Sequence, residues 1–144
     1  MARTQYEKSI ELQPVQTEAY LQLGLIDLDE KKMDQAEERF RHVLQRNPKH
    51  SGALFGMGRA EFEKKQYENA ATFLQQATTN DPSMRQAHYY LGMTYARLGK
   101  KEDSATELVT ASRLEHEEVE QHRGVLKILS PTAMPATGAE NNQH

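Results

Sequence analysis

An all-α fold built from stacked helix pairs is what this 144-residue sequence predicts. Three observations carry the prediction. Pro14, Pro48 and Pro82 stand a constant 34 residues apart, and Gly24, Gly58 and Gly92 keep the same interval. Two rulers of one length mark a tandem repeat. Between them the residues fall into columns at helical spacing: Tyr20, Leu54 and His88; Leu23, Met57 and Leu91; then Ala36, Ala70 and Ser104, with Phe40, Leu74 and Leu108 four residues on and Val43, Ala77 and Ala111 three further.

The elements follow in order. Ala2, Tyr6, Ser9, Ile10, Leu12 and Pro14 match the second helix of a unit whose first helix is missing, so residues 2–14 are expected to be a half repeat and the chain a piece cut from a longer protein, or one to which Met1 was added. The left-over apolar face at Tyr6 and Ile10 is expected to favour pairing between chains. Full units then span 17–50, 51–84 and 85–118. In each, a first helix is joined to a second by a short polar stretch: Glu30 to Met33, Lys64 to Gln66 and Gly99 to Lys101. Asn47-Pro48 and Asp81-Pro82 end the second helix, because the residue before proline is driven out of the helical region. Glycine inside the first helix costs about 1 kcal/mol relative to alanine, so its periodic use implies a helix approaching closely at that point.

The last unit has His116 where the closing proline is expected. The following stretch, with Val119, His122, Leu126 and Leu129 at helical spacing, is expected to be a capping helix over 117–129, separate or continuous with the helix before it. Residues 130–144 carry two prolines and few apolar side chains, and are expected to form a disordered tail.

Composition excludes several classes. Eighteen basic and twenty-one acidic residues are interspersed, leaving a charge of -3 and no basic stripe for phosphate, so nucleic acid is not an expected partner. The chain has no cysteine, which removes disulfides and thiolate metal sites and fits a reducing, cytoplasmic setting. No apolar run approaches the roughly 20 residues needed to cross a bilayer, so no membrane is expected for this segment.

The order aromatic or Leu, Leu-Gly, then Ala, Phe or Leu, Ala and Pro, seen most fully around HYYLGMTYARLGK in the third unit, resembles the tetratricopeptide repeat. The resemblance covers Thr17 to about Glu118. Asp27 and Glu61 depart from it, standing where the family usually has Tyr. It implies a right-handed α-solenoid and a protein-interaction scaffold rather than an enzyme, with no cofactor.

In that family the first helices line the concave side. A second apolar stripe on them then becomes a groove for a peptide or helix of unidentified identity: Leu21, Leu25 and Leu28 in the first unit, Phe55, Arg59 and Phe62 in the second, Tyr89, Met93 and Ala96 in the third, with Arg97 at its border. Leu25, Phe55, Tyr89 and Met93 are the foremost exposed candidates. The competing expectation makes part of the stripe core, with Leu28 and Phe62 packing on the next unit.

The family's clamp for acidic chaperone C-terminal tails uses Lys, Asn and Arg on the first helices. The matching positions here hold Leu21, Leu25, Gly56, Gln86 and Tyr90, none of which offers a charged fork, so chaperone tails are not expected ligands. The histidines occupy different repeat columns and form no metal-binding pattern. Asp27 and Glu61 are the one paired-carboxylate feature. They are expected at the helix flank, paired with Arg59, a lysine or backbone, with no catalytic role. Other expectations kept open are a spacer or oligomerisation module, including a homodimer through the N-terminal half repeat, and a regulatory domain of a larger protein.

Overall fold

The computed structural model describes residues 14–129. The half repeat over 2–14, with Tyr6 and Ile10, and the tail over 130–144 lie outside the described residues, apart from Pro14. Among the described residues six helices follow one another: α1 (Pro14–Asp29), α2 (Met33–Arg46), α3 (Ser51–Glu63), α4 (Tyr67–Asn80), α5 (Arg85–Arg97) and α6 (Lys101–Leu129). Helices pair within units, α1 with α2, α3 with α4 and α5 with α6. Across units α2 meets α3 and α4 meets α5, while the first helices α1, α3 and α5 also touch in succession.

Each first helix ends the same way. Lys31, Lys65 and Gly99 adopt left-handed φ values of 64°, 64° and 79°. The next amide then reaches back over the last turn: Lys32 N–H donates to Asp27 O at 2.8 Å, Gln66 to Glu61 at 2.8 Å and Lys100 to Tyr95 at 2.8 Å. This is the Schellman closure, which satisfies carbonyls that the helix end leaves open. The second helices stop at Asn47 or Asp81, whose φ of -138° and -139° leave the helical region before proline. The Asn47 and Asp81 side chains accept from the amides of Lys49 and Ser83, each at 3.1 Å, starting the next turn.

Two apolar clusters form the core, and each ties one unit to the next. Leu21, Leu28, Phe40 and Val43 pack with Ala53, Met57 and Ala60 of α3. Phe55, Leu74 and Ala77 pack with Ala87, Leu91 and Tyr95 of α5. The glycine column has the reason its period implied. A Cβ on Gly24 would lie 2.5 Å from Phe40 Cε1, and one on Gly58 2.5 Å from Leu74 Cγ.

One expectation needs correction. Leu23, in a column where Met57 and Leu91 are buried, is 42 % exposed. Those two face the preceding unit, and α1 is the first helix described. Of the two forms open to the segment over 117–129 the structure takes the continuous one: α6 runs unbroken for 29 residues, about 43 Å, because no proline or left-handed residue stops it at His116.

Candidate functional site: the face of the first helices

On α1, α3 and α5 the positions proposed from the sequence divide into three groups. Leu21, Leu28 and Phe55 are buried, at 8 %, 1 % and 6 % exposure, and so belong to the packing rather than to an open groove. Leu21 and Phe55 are covered by the first helix of the following unit, Leu21 close to Gly52 and Phe55 edge-on to Tyr90 with centroids 5.7 Å apart. Leu28 joins Ala60 of α3 in the core. Leu25, Arg59, Phe62 and Met93 are half-buried, and Tyr89 and Arg97 are exposed.

An aromatic and cationic network joins the second and third units here. Tyr90 stands edge-on to Phe55 and Phe62, and Phe62 edge-on to Tyr67, the latter two pairs with centroids 5.6 Å apart. The Arg59 guanidinium lies 5.7 Å from the centre of Tyr90, and Arg97 lies 5.8 Å from that of Tyr67. Arg59 Nη2 donates to Asp29 Oδ1 at 3.3 Å, and Arg97 Nη1 donates to Tyr67 Oη at 3.1 Å. Arg59 Nε is buried without a hydrogen-bond partner among the described residues. Tyr90 and Tyr67 were not singled out as groove residues, since neither column is aromatic in the other units; the only sequence hint was the triple Tyr-Tyr-Leu before Gly92.

The carboxylate column sits elsewhere. Asp27 is buried and pairs with Arg39 of α2 at 2.6 Å, while Arg59 is taken by Asp29, which corrects the expected Asp27 or Glu61 pairing with Arg59. Glu61 lies against Glu37 of the preceding unit, whose Oε1 accepts from Lys64 Nζ at 2.8 Å. Burial first, then the hydrogen bond and charge of Glu37, push the Glu61 carboxyl above its ordinary range. A hydrogen bond to Glu37 raises Lys64 in turn. Glu37, Glu61 and Lys64 thus join the first two units at their flank, while Asp27 and Arg39 close the first unit on itself.

Three histidines serve local structure. The His88 ring bridges Glu107 Oε1 and Pro82 O, both at 2.7 Å, and His50 Nδ1 caps α3 by accepting from Ala53 N. His42 packs against the Tyr20 ring. Among the described residues no group of three or more His, Asp or Glu is placed to hold a metal ion, and no helix is long and apolar enough to cross a membrane.

Helix pairs of one period, stacked through their first helices and closed on a small-residue column, define a tetratricopeptide solenoid. Residues 2–115 match the family model of the cilia and flagella-associated protein 70 middle TPR-like domain, and the chain belongs to that TPR-like family. A comparison with curated proteins gave no match. Among solved structures, MamA superposes with a TM-score of 0.64 at 22 % identity, covering 76 % of this chain and 64 % of that one. A mutant O-GlcNAc transferase of Thermobaculum terrenum gives 0.68 at 30 % identity, covering 70 % of this chain but 19 % of the transferase. The second TPR of Spaghetti (RPAP3), bound to an HSP90 peptide, gives 0.65 at 19 % identity, covering 79 % of this chain and 99 % of that domain. This chain thus spans less than two thirds of MamA and about a fifth of the transferase.

Proposed function

We propose that this chain is a non-catalytic protein-interaction scaffold that holds an extended or helical segment of another protein on the face of α1, α3 and α5. The observation that carries the reading is the half-open strip from Leu25 through Arg59 and Tyr90 to Met93. It offers apolar area, with the arginines Arg59 and Arg97 already stacked and oriented at its edge. Preorganised arginine on an aromatic face loses little freedom on binding and favours acidic or carbonyl-rich segments.

With Leu21, Leu28 and Phe55 committed to the core, fewer anchors remain. Three half-buried side chains gaining roughly 1 kcal/mol each do not exceed an association cost of at least ~4 kcal/mol, so affinity here depends on the arginines. The Spaghetti domain holds an HSP90 peptide. The positions matching that family's clamp here carry no charged donor, so the preferred peptide differs from a chaperone tail.

Peptides selected from a random library, followed by chemical-shift mapping, test the reading. Amide shifts are expected at Leu25, Arg59, Tyr90 and Met93, with binding abolished by Leu25→Glu plus Met93→Glu in a folded chain. Shifts confined to the outer faces of α2 and α4 would reject it.

A further inference from the structure

The third unit leaves open the face on which, in the first two units, the next unit stacks. The column holding Phe40 and Leu74 at 0 % exposure holds Leu108 at 36 %, and the column of buried Leu21 and Phe55 holds Tyr89 at 47 %. Between α5 and α6, Tyr89, Leu108 and Ala111 line an open depression with Arg85, Ser112 and Glu115 at its sides.

What fits there is defined by the chain's own interfaces. At the junction of the second and third units, Leu91 and Tyr95 of α5 enter one cluster with Phe55, Leu74 and Ala77. One period further along, the receiving residues become Tyr89, Leu108 and Ala111, and the entering residues become Val125 and Leu129. Val125 and Leu129 are 50 % and 72 % exposed. The stretch 119–129 therefore has the apolar spacing of a first helix, yet it is held as the far end of α6. Within one chain the two parts cannot meet. A continuous helix advances about 1.5 Å per residue along a single axis, which carries Val125 away from the groove beside Leu108.

We infer that this face is a self-association site, filled by the end of α6 from a second copy. The second α6 lies antiparallel on the first, as consecutive helices of the array do, and sets its Val125 and Leu129 where Leu91 and Tyr95 stand at the internal junction. The contact is two-fold, because each copy brings both a groove and a projecting helix end. The acidic residues around the crossing point are partly compensated within each chain, Glu118 by Arg85 at 3.1 Å and Glu117 by Arg113 at 2.8 Å. The contact continues a packing mode that the chain already uses twice.

The absence of cysteine makes the test clean. Full-length chains carrying Leu108→Cys and Val125→Cys are mixed and treated with a short bismaleimide. The expected main product is the mixed dimer, with little coupling of either variant to itself. Tyr89→Cys replaces Leu108→Cys should the latter not fold. Sedimentation of the unmodified chain is expected to show a concentration-dependent dimer. Val125→Glu plus Leu129→Glu should weaken it roughly tenfold or more without changing far-UV circular dichroism, since both side chains are exposed in the single chain. Monomer up to millimolar concentration, self-coupling of Val125→Cys as the main product, or an intrachain link in the dilute Leu108→Cys/Val125→Cys double variant would each overturn the inference.

Discussion

Arg39 Nε donates to Asp27 Oδ2 across 2.6 Å, closing α1 onto α2 by an ion pair at the position where the third unit carries Tyr95. Tyr95 instead accepts from Gln75 Nε2 of the preceding unit at 2.6 Å, so the same column serves a bond within one unit and a bond between two. Asp27 is almost fully covered, whereas Arg39 keeps a third of its side chain in solvent. Removing the arginine alone strands a buried carboxylate. Arg39→Met is expected to cost about 2 to 3 kcal/mol, at or below the roughly 3 to 5 kcal/mol of a fully buried pair because Arg39 is partly solvated. The double variant Asp27→Leu/Arg39→Met should recover most of that loss, as read by urea unfolding. Equal destabilisation in the single and double variants would show that the pair's charge balance is not what matters.

Glu61 gives a pH dependence of defined sign. Its folded-state pKa is raised, by burial first and by Glu37 second, above the ordinary 4.5. Between 4.5 and the raised value the native state holds a proton that the unfolded chain has released, so this group's contribution falls as pH rises through that window and is constant below it. Glu61→Gln keeps a donor toward Glu37, whose Oε2 is buried without a partner among the described residues. The variant is expected to be more stable than the parent at neutral pH. The gap should close as pH falls to 4.5, followed by thermal melts across that range.

The glycine column can be tested against a glycine in open space. Gly58→Ala places a methyl 2.5 Å from Leu74 Cγ in the core, while a Cβ on Gly124 in α6 meets nothing within 4 Å. Overpacking costs about 1 to 3 kcal/mol and helix propensity returns about 1. Because a 2.5 Å approach lies at the severe end of that range, Gly58→Ala should lower stability by about 1 to 2 kcal/mol, and Gly124→Ala should leave it unchanged or raise it. A Gly58→Ala chain as stable as the parent would mean the helices part at no cost.

Two of the left-handed turn residues make opposite predictions at equivalent positions. Lys65 holds φ 64° and Gly99 holds φ 79°. Gly99→Ala is expected to lose about 1 kcal/mol, and Lys65→Gly to gain up to about the same, because the left-handed region costs a side chain roughly 1 to 2 kcal/mol. Thermal denaturation of the two variants side by side reads the difference in sign.

Much of the fold was legible because it rests on features that repetition displays. The glycine column announced a close helix approach before Phe40 and Leu74 were seen to fill it, and the Asn-Pro and Asp-Pro steps announced where α2 and α4 stop. The candidate site was legible only in part. Leu21, Phe55 and Tyr89 share one column and one chemistry, yet two are sealed and one is open. Arg59 found Asp29 on the neighbouring first helix, a partner set by how the helices lie side by side.

By itself the sequence determined the period, the helix-turn-helix unit and the small-residue contact, since these depend on backbone preference and on spacing along a single helix. Tertiary structure alone decided which apolar side chains remain available to a partner and how far α6 runs. Exposure is a property of what lies across a residue, and whether a following helix lies across Phe55 or Tyr89 is settled by stacking between units, to which a column within one unit is blind.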